Sequence, residues 1–318
     1  MKGKAIVKIV ICSVVALVLI SVLAGALVTK DVFTSLGDVS DAFPLVVSLG
    51  EYYNDAEYAA GEKGTDDHAE TQVTGAVREI EIHWASGSVS VKPYEGNTIV
   101  LRETTMSREA DRLRWKLRDG KLEIRERKSG AVTKSLRKTL EILLPAALAD
   151  SLEKVELDLA SAEAYAEHLA VREMELDTAS GNITLTKCSI GKLDVDSASG
   201  SCTAEGCTIE EVSMDSASGN ANITGSIRRV NMDTASGRLT LVSDITPQKI
   251  EVDAVSGDCD LTIPADAGFT LKQDGVSSRL NIEGFAFRKQ DKEYVCGDGA
   301  AEFSVEAVSG DVTIRAAN

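Results

Sequence analysis

The chain has 318 residues and a formal charge of -16, and its N-terminal 30 residues hold four lysines (Lys2, Lys4, Lys8 and Lys30) and no acid. The remainder is therefore strongly acidic, which sets it against the phosphate backbone of nucleic acids and against anionic headgroups, and leaves cations, basic proteins and neutral glycans as partners. Only 4% of the residues are aromatic, too few for the stacking platforms that commonly hold sugars or bases.

Residues 9–28 form an uninterrupted apolar stretch of 20 residues, the length a helix needs to cross roughly 30 Å of hydrocarbon. Lys2, Lys4 and Lys8 precede it, so the positive-inside bias predicts one transmembrane helix with a cytoplasmic N-terminus and everything after Lys30 outside the cell. The competing reading is a cleaved signal peptide ending near Leu23-Ala24-Gly25-Ala26, but the apolar core is long for one. Residues 31–75 show no clear period of 2 or 3.6 and read as a juxtamembrane linker, polar enough over residues 57–74 to lack structure.

From residue 76 onward strand signals dominate. Ile80, Ile82, Val89 and Val91 alternate around Gly87, and a second alternating pair of segments flanks Asp119-Gly120, a strong hairpin signal. Residues 76–150 are expected to hold N-terminal rungs and a hairpin cap that shields the exposed edge of a stack of strands.

Residues 151–318 carry a repeat. Asp177-Thr178-Ala179-Ser180-Gly181 recurs as Asp196-Ser197-Ala198-Ser199-Gly200, Asp215-Ser216-Ala217-Ser218-Gly219 and Asp233-Thr234-Ala235-Ser236-Gly237, with variants ending at Gly257 and Gly310 and degenerate copies at residues 158–162 and 274–278. Successive glycines from Gly181 to Gly257 are 19, 19, 18 and 20 residues apart. Apolar residues stand seven and five before each Gly and two and four after it: Leu193, Val195, Cys202 and Ala204 around Gly200, for example. Each unit thus reads as strand, Ser-Gly corner, strand and return turn. Such a unit cannot bury its apolar face alone, so the prediction is an all-β fold: a single-stranded β-solenoid (β-helix) of ~19-residue rungs stacked about 4.8 Å apart.

The Asp column (Asp158, Asp177, Asp196, Asp215, Asp233 and Asp253) is the sharpest chemical feature. Neighbouring carboxylates at about 4.8 Å repel by roughly 0.9 kcal/mol in water. An Asx-type turn at the corner, with the Asp accepting backbone N–H groups at about 1.5–3 kcal/mol each, outweighs that cost. The metal-binding alternative is a Ca²⁺ ladder of Asp177, Asp196, Asp215 and Asp233, against which stands the missing Gly-Gly-x-Gly-x-Asp pattern of calcium-binding solenoids. The Ser column (Ser180, Ser199, Ser218, Ser236, Ser256 and Ser309) is read as a hydroxyl ladder at the corners, because the three histidines, His68, His83 and His168, all lie outside the regular repeats. No catalytic residue and no cofactor is assigned. Cys188 and Cys207 are one repeat apart, so stacking brings them within disulfide reach; bonded and free thiols both remain open.

The Ser-Gly repeats from Gly87 to Gly310 and the strand-to-Pro steps Leu143-Leu144-Pro145 and Thr262-Ile263-Pro264 resemble the bacterial “putative adhesin” family, also called domain of unknown function 4097. The resemblance implies a β-strand-repeat domain often anchored by one N-terminal helix. Its implied role is non-enzymatic, binding or scaffolding at the cell surface with an unknown surface protein or glycan as partner. Two alternatives are kept: a regulatory or sensory partner in an envelope-stress system, and a carbohydrate-active enzyme.

Overall fold

The computed structural model describes residues 53–64, 68–131, 137–291 and 293–317. The expected transmembrane helix lies outside these residues. Among the described residues no helix is long and apolar enough to cross a membrane.

The described chain is all-β, and its organising element is the predicted rung. In the rung around Gly200, the strand Ser189–Ser197 leads to the corner and the strand Cys202–Ser216 begins on the other side. Their burial alternates, with Leu193, Val195, Cys202 and Ala204 all buried. Each first strand pairs in parallel with the first strand of the next rung one repeat away, Asp177 with Asp196 and Asp196 with Asp215. Each second strand does the same, Ile183 with Cys202 and Cys202 with Ala221. Two parallel sheets result, with one continuous apolar core between them. A residue of period 2 in sequence thereby becomes a column along the stack.

The glycines at the corners follow from that stacking. A Cβ on Gly200 would stand 2.1 Å from the Gly181 carbonyl oxygen, and one on Gly219 would stand 2.1 Å from that of Gly200. The backbones touch at the corners, leaving no room for a side chain.

The order of rungs departs from the order of the sequence at both ends. At the C-terminal end the last strand, Ala301–Ala316, does not finish the stack. It inserts between the 253 rung and the strand Phe269–Glu283, pairing Asp253 with Glu306 and Glu306 with Asp274. The terminal rung is therefore the 274 rung, and the strands Phe287–Gln290 and Glu293–Cys296 form a hairpin laid antiparallel on its first four residues. At the N-terminal end the rung around Gly87 is likewise second in the stack. Its strand Glu79–Trp84 lies between Lys121–Arg125 and Leu152–Leu159, and Gly87–Tyr94 lies between Lys138–Pro145 and Glu163–Glu167.

The Asp-Gly hairpin is present. Arg114–Arg118 pairs antiparallel with Lys121–Arg125, and Asp119 and Gly120 both adopt positive φ, 53° and 86°, as the tight turn requires. Residues 68–73, which composition reads as linker, instead form the strand His68–Val73 on the outside of this cap, paired with Ile99–Thr104. Its Ala69, Thr71 and Val73 are buried in alternation, a pattern of three positions too short to stand out within a polar tract.

Candidate binding face

The outward positions of the first-strand sheet form three parallel columns. The one nearest the corner runs, in spatial order, Arg125, His83, Asp158, Asp177, Asp196, Asp215, Asp233, Asp253, Glu306 and Asp274. Eight consecutive rungs thus present a carboxylate, and the two rungs at the N-terminal end present cationic side chains. Two residues before the Asp runs a second acidic column with Glu156, Glu175, Asp194 and Glu251, and four before it a mixed one with Lys154, Glu173, Lys192, Glu211, Arg229 and Lys249. The cations of the mixed column are committed locally. Lys154 reaches Glu175 at 2.6 Å and Glu156 at 3.1 Å, Arg229 reaches Glu211 at 3.1 Å and Lys249 reaches Glu251 at 2.8 Å, while Lys192 pairs with Asp194.

The corner itself corrects the sequence reading. In three rungs the residue that closes it is the Thr or Ser after the Asp, whose side chain points inward. Thr178 Oγ1 accepts the Gly181 N–H at 2.8 Å, Ser197 Oγ that of Gly200 at 2.7 Å and Ser216 Oγ that of Gly219 at 2.6 Å. Alternation places the residue next to an outward Asp in the core, and in these three rungs its hydroxyl lies within reach of the corner amide, whereas the equivalent Thr234 Oγ1 is buried without a hydrogen-bond partner. The Asp is left on the outer surface. Within the Ser column the hydroxyls of Ser199 and Ser218 donate to corner carbonyls of the preceding rung, Ala179 and Ala198, and Ser161 of the degenerate copy does the same to Ala85.

Burial, with crowding of like charge behind it, shows in two of the carboxyls. Partial burial, then the neighbouring carboxylates of Asp196 and Asp158, push the Asp177 carboxyl up to about 7. Burial first, then Asp194 and Glu175, raise that of Asp196. At the N-terminal end the sign reverses. His83 Nε2 lies 2.5 Å from Glu81 Oε1 and Nδ1 lies 2.7 Å from Asp158 Oδ2, the latter an ion pair rather than an aligned hydrogen bond. Burial alone would depress the imidazole, but Asp158 and Glu81 hold it up at about 9. For Glu81, burial is outweighed by His83 and Lys121, which hold its carboxyl down at about 2.

Among the described residues, the groups of potential metal ligands that lie together are Glu81 with His83 and Glu123, and Glu81 with Glu156 and Asp158. Lys121, Lys116 and Arg125 already pair with these carboxylates, making them an ion-pair network. Asp177, Asp196, Asp215 and Asp233 are placed one per rung, so a Ca²⁺ ion there would have to be shared between rungs. Cys188 and Cys207 are stacked, buried thiols, with the Cys188 N–H directed at Cys207 Sγ at 3.4 Å, and both are free. Burial pushes the inward thiols of Cys202 and Cys259 up to about 12, as befits core fillers.

The opposite lateral face is different. Its central column, Tyr165, Thr184, Thr203, Asn222 and Thr240, is uncharged. That column reaches acids only towards its two ends, at Glu141 and Asp260, so the regular rungs carry their unbroken carboxylate column on the first-strand side. Sequence reasoning missed Lys138 and Glu103, a fully buried ion pair in the N-terminal cap. Their only signal was a charge at an inward strand position, which reads as an interruption until the partner is known.

A model of the family described as Toastrack DUF4097 matches residues 77–315. Among solved structures, a “putative adhesin” from Bacteroides fragilis is 15% identical, covering 81% of this chain and 100% of its own, with a TM-score of 0.47. A “putative lipid binding protein” from Parabacteroides distasonis is 12% identical, covering 81% and 99%, with a TM-score of 0.42. A “putative cell adhesion protein” from Clostridium sporogenes is 16% identical, covering 79% and 99%, with a TM-score of 0.30. No curated protein matches the chain.

Proposed function

The chain belongs to the Toastrack DUF4097 family, and from that premise we propose that it is a non-enzymatic binding scaffold, tethered by the apolar helix of residues 9–28 with its β-stack outside the cell, whose acidic face docks a cationic surface partner. The observation that carries this reading is the unbroken column of eight carboxylates from Asp158 to Asp274 on one face. Carboxylates one rung apart repel one another, and at Asp177 burial and then the neighbouring Asp196 and Asp158 raise the carboxyl. A basic protein segment or a cationic wall polymer laid along the stack relieves that repulsion, and the relief appears as binding energy.

Catalysis finds little support in the same residues. A nucleophile needs a neutral base beside it. The hydroxyls of Ser199 and Ser218 donate to corner carbonyls, and His83 lies between Glu81 and Asp158, which favour its charged form.

The test uses the full chain in detergent with an oligolysine peptide as probe. Binding that weakens steeply with salt, and about tenfold on combining Asp196→Asn, Asp215→Asn and Asp233→Asn, is expected. Equal binding by the wild type and the triple variant would remove the acidic column from the function.

A further inference from the structure

The terminal rung leaves a strand edge open. Residues 278–283 of the strand Phe269–Glu283 pair with 310–315 on one side, and among the described residues no strand pairs with them on the other. The hairpin strand Glu293–Cys296 covers only residues 269–272. In the interior rungs, the inward residue two after the corner donates its N–H toward the C-terminal end of the stack: Ile183 to the Ser201 carbonyl, Cys202 to that of Asn220 and Leu239 to that of Asp258. Leu280 occupies that position in the terminal rung and Ile282 the next inward one, so the N–H and C=O groups of both face away from the stack with no further rung to receive them. Their side chains are half-buried against the end of the core. An edge of this kind is a template for another strand.

The sequence of the edge matches its own reverse. Laid antiparallel about Asn281, Arg279 stands opposite Glu283 and Leu280 opposite Ile282. Arg279, Asn281 and Glu283 are exposed. Leu280 and Ile282 are the residues whose backbone groups face outward, so the register that pairs opposite charges is also one in which the two chains exchange complete hydrogen-bonded pairs. We propose that this edge binds a second copy of the same chain, tip to tip about a two-fold axis through Asn281, forming an isologous contact. Glu283 already receives Arg315 at 3.0 Å, and Arg279 of the second copy adds a cation on the outer side. The contact joins the two cores end to end and places the two N-terminal ends of the stacks roughly 90 Å apart at about 4.8 Å per rung. It leaves the acidic lateral face uncovered in both copies and stands or fails independently of that face.

The test is made on the full chain in detergent. Asn281→Cys places a thiol on the proposed axis, where directly opposed residues of an antiparallel pair are within disulfide reach. Asn222→Cys, in the same column but in an interior rung, is the control. Under mild oxidation Asn281→Cys is expected to form a covalent dimer about tenfold faster than Asn222→Cys, because pairing raises the effective thiol concentration. By sedimentation, Arg279→Glu is expected to weaken the dimer about tenfold by opposing two like-charge pairs, and adding Glu283→Arg to recover most of that loss. Equal cross-linking of the two cysteine variants, or a monomeric wild type at all concentrations, overturns the proposal. Failure of the exchanged pair to restore the dimer overturns the register.

Discussion

At the N-terminal end of the stack the core is closed around a buried charge, whereas at the C-terminal end it is closed by aromatic rings and an open strand edge. Lys138 Nζ lies 2.7 Å from Glu103 Oε2 with both side chains at 0–1% exposure, donates to the carbonyls of Asp111 and Glu126, and sits 4.6 Å from the centre of the Trp84 ring. The Trp84 indole N–H returns a bond to the Lys138 carbonyl at 3.0 Å. Around this pair, antiparallel strands and a surface network that includes Arg114 with Asp55 and Glu109 cover the last rung. At the other end Phe269 stacks on Phe303 at 4.9 Å, and Phe285 closes edge-to-face on Phe269 at 5.3 Å. The polar closure is geometrically demanding and lies beneath further antiparallel strands that end on His68–Val73. The apolar closure demands less and leaves part of the edge free for association.

That contrast predicts unequal sensitivity. Lys138→Met leaves Glu103 buried without its countercharge and should cost about 3–5 kcal/mol, the scale for breaking a buried pair from one side. Because each rung contacts only its neighbours, the loss should appear first as faster amide exchange in residues 79–84 and 121–125, with residues 269–283 little changed. Uniform loss of protection along the stack would show that the ends are not energetically separate. Phe285→Ala should cost less, about 2 kcal/mol by urea unfolding, since the ring is only partly buried, and should expose the opposite end.

Protonation separates the N-terminal cap from the ladder next to it. His83 has its folded value raised to about 9, so its contribution is complete below the unfolded value near 6.5 and is lost as pH rises through 9. Glu81 is depressed to about 2, so its contribution is complete above about 4.5 and is lost as pH falls through 2. Asp177 is raised to about 7, so the folded state holds its proton more tightly and stability declines as pH rises from about 4 to 7. Asp177→Asn should therefore stabilise the domain at pH 8, on the order of 1 kcal/mol after allowance for solvent screening. It should also flatten the fall between pH 4 and 7, measured by denaturant unfolding at each pH. The smallest effect expected is that of calcium. Carboxylates arranged one per rung bind weakly, so millimolar Ca²⁺ should raise the unfolding temperature over EDTA by only about 1–2 °C. A rise of many degrees that disappears with Asp196→Ala and Asp215→Ala would make the ladder a metal site.

The sequence by itself determined the rung, because the rung is a local object. Period-2 alternation fixes which residues face the core, and the repeat of about 19 residues brings Asp177, Asp196 and Asp215 into one column, as their register shows. The Ser-Gly corner was equally legible, since the small residue is demanded wherever successive corners touch. Tertiary structure alone decided three things. It decided the order of rungs at the ends, because the inserted strands at 79–94 and 301–316 carry the same alternation as any other rung and pattern does not say which neighbours a strand takes. It decided that Thr178, Ser197 and Ser216, rather than the aspartates beside them, close the corners, because that choice depends on which hydroxyl lies within reach of the Gly amide. It decided the pairing of Lys138 with Glu103, 35 residues apart, since a buried charge is tolerable only beside its partner and the partner is found across the fold.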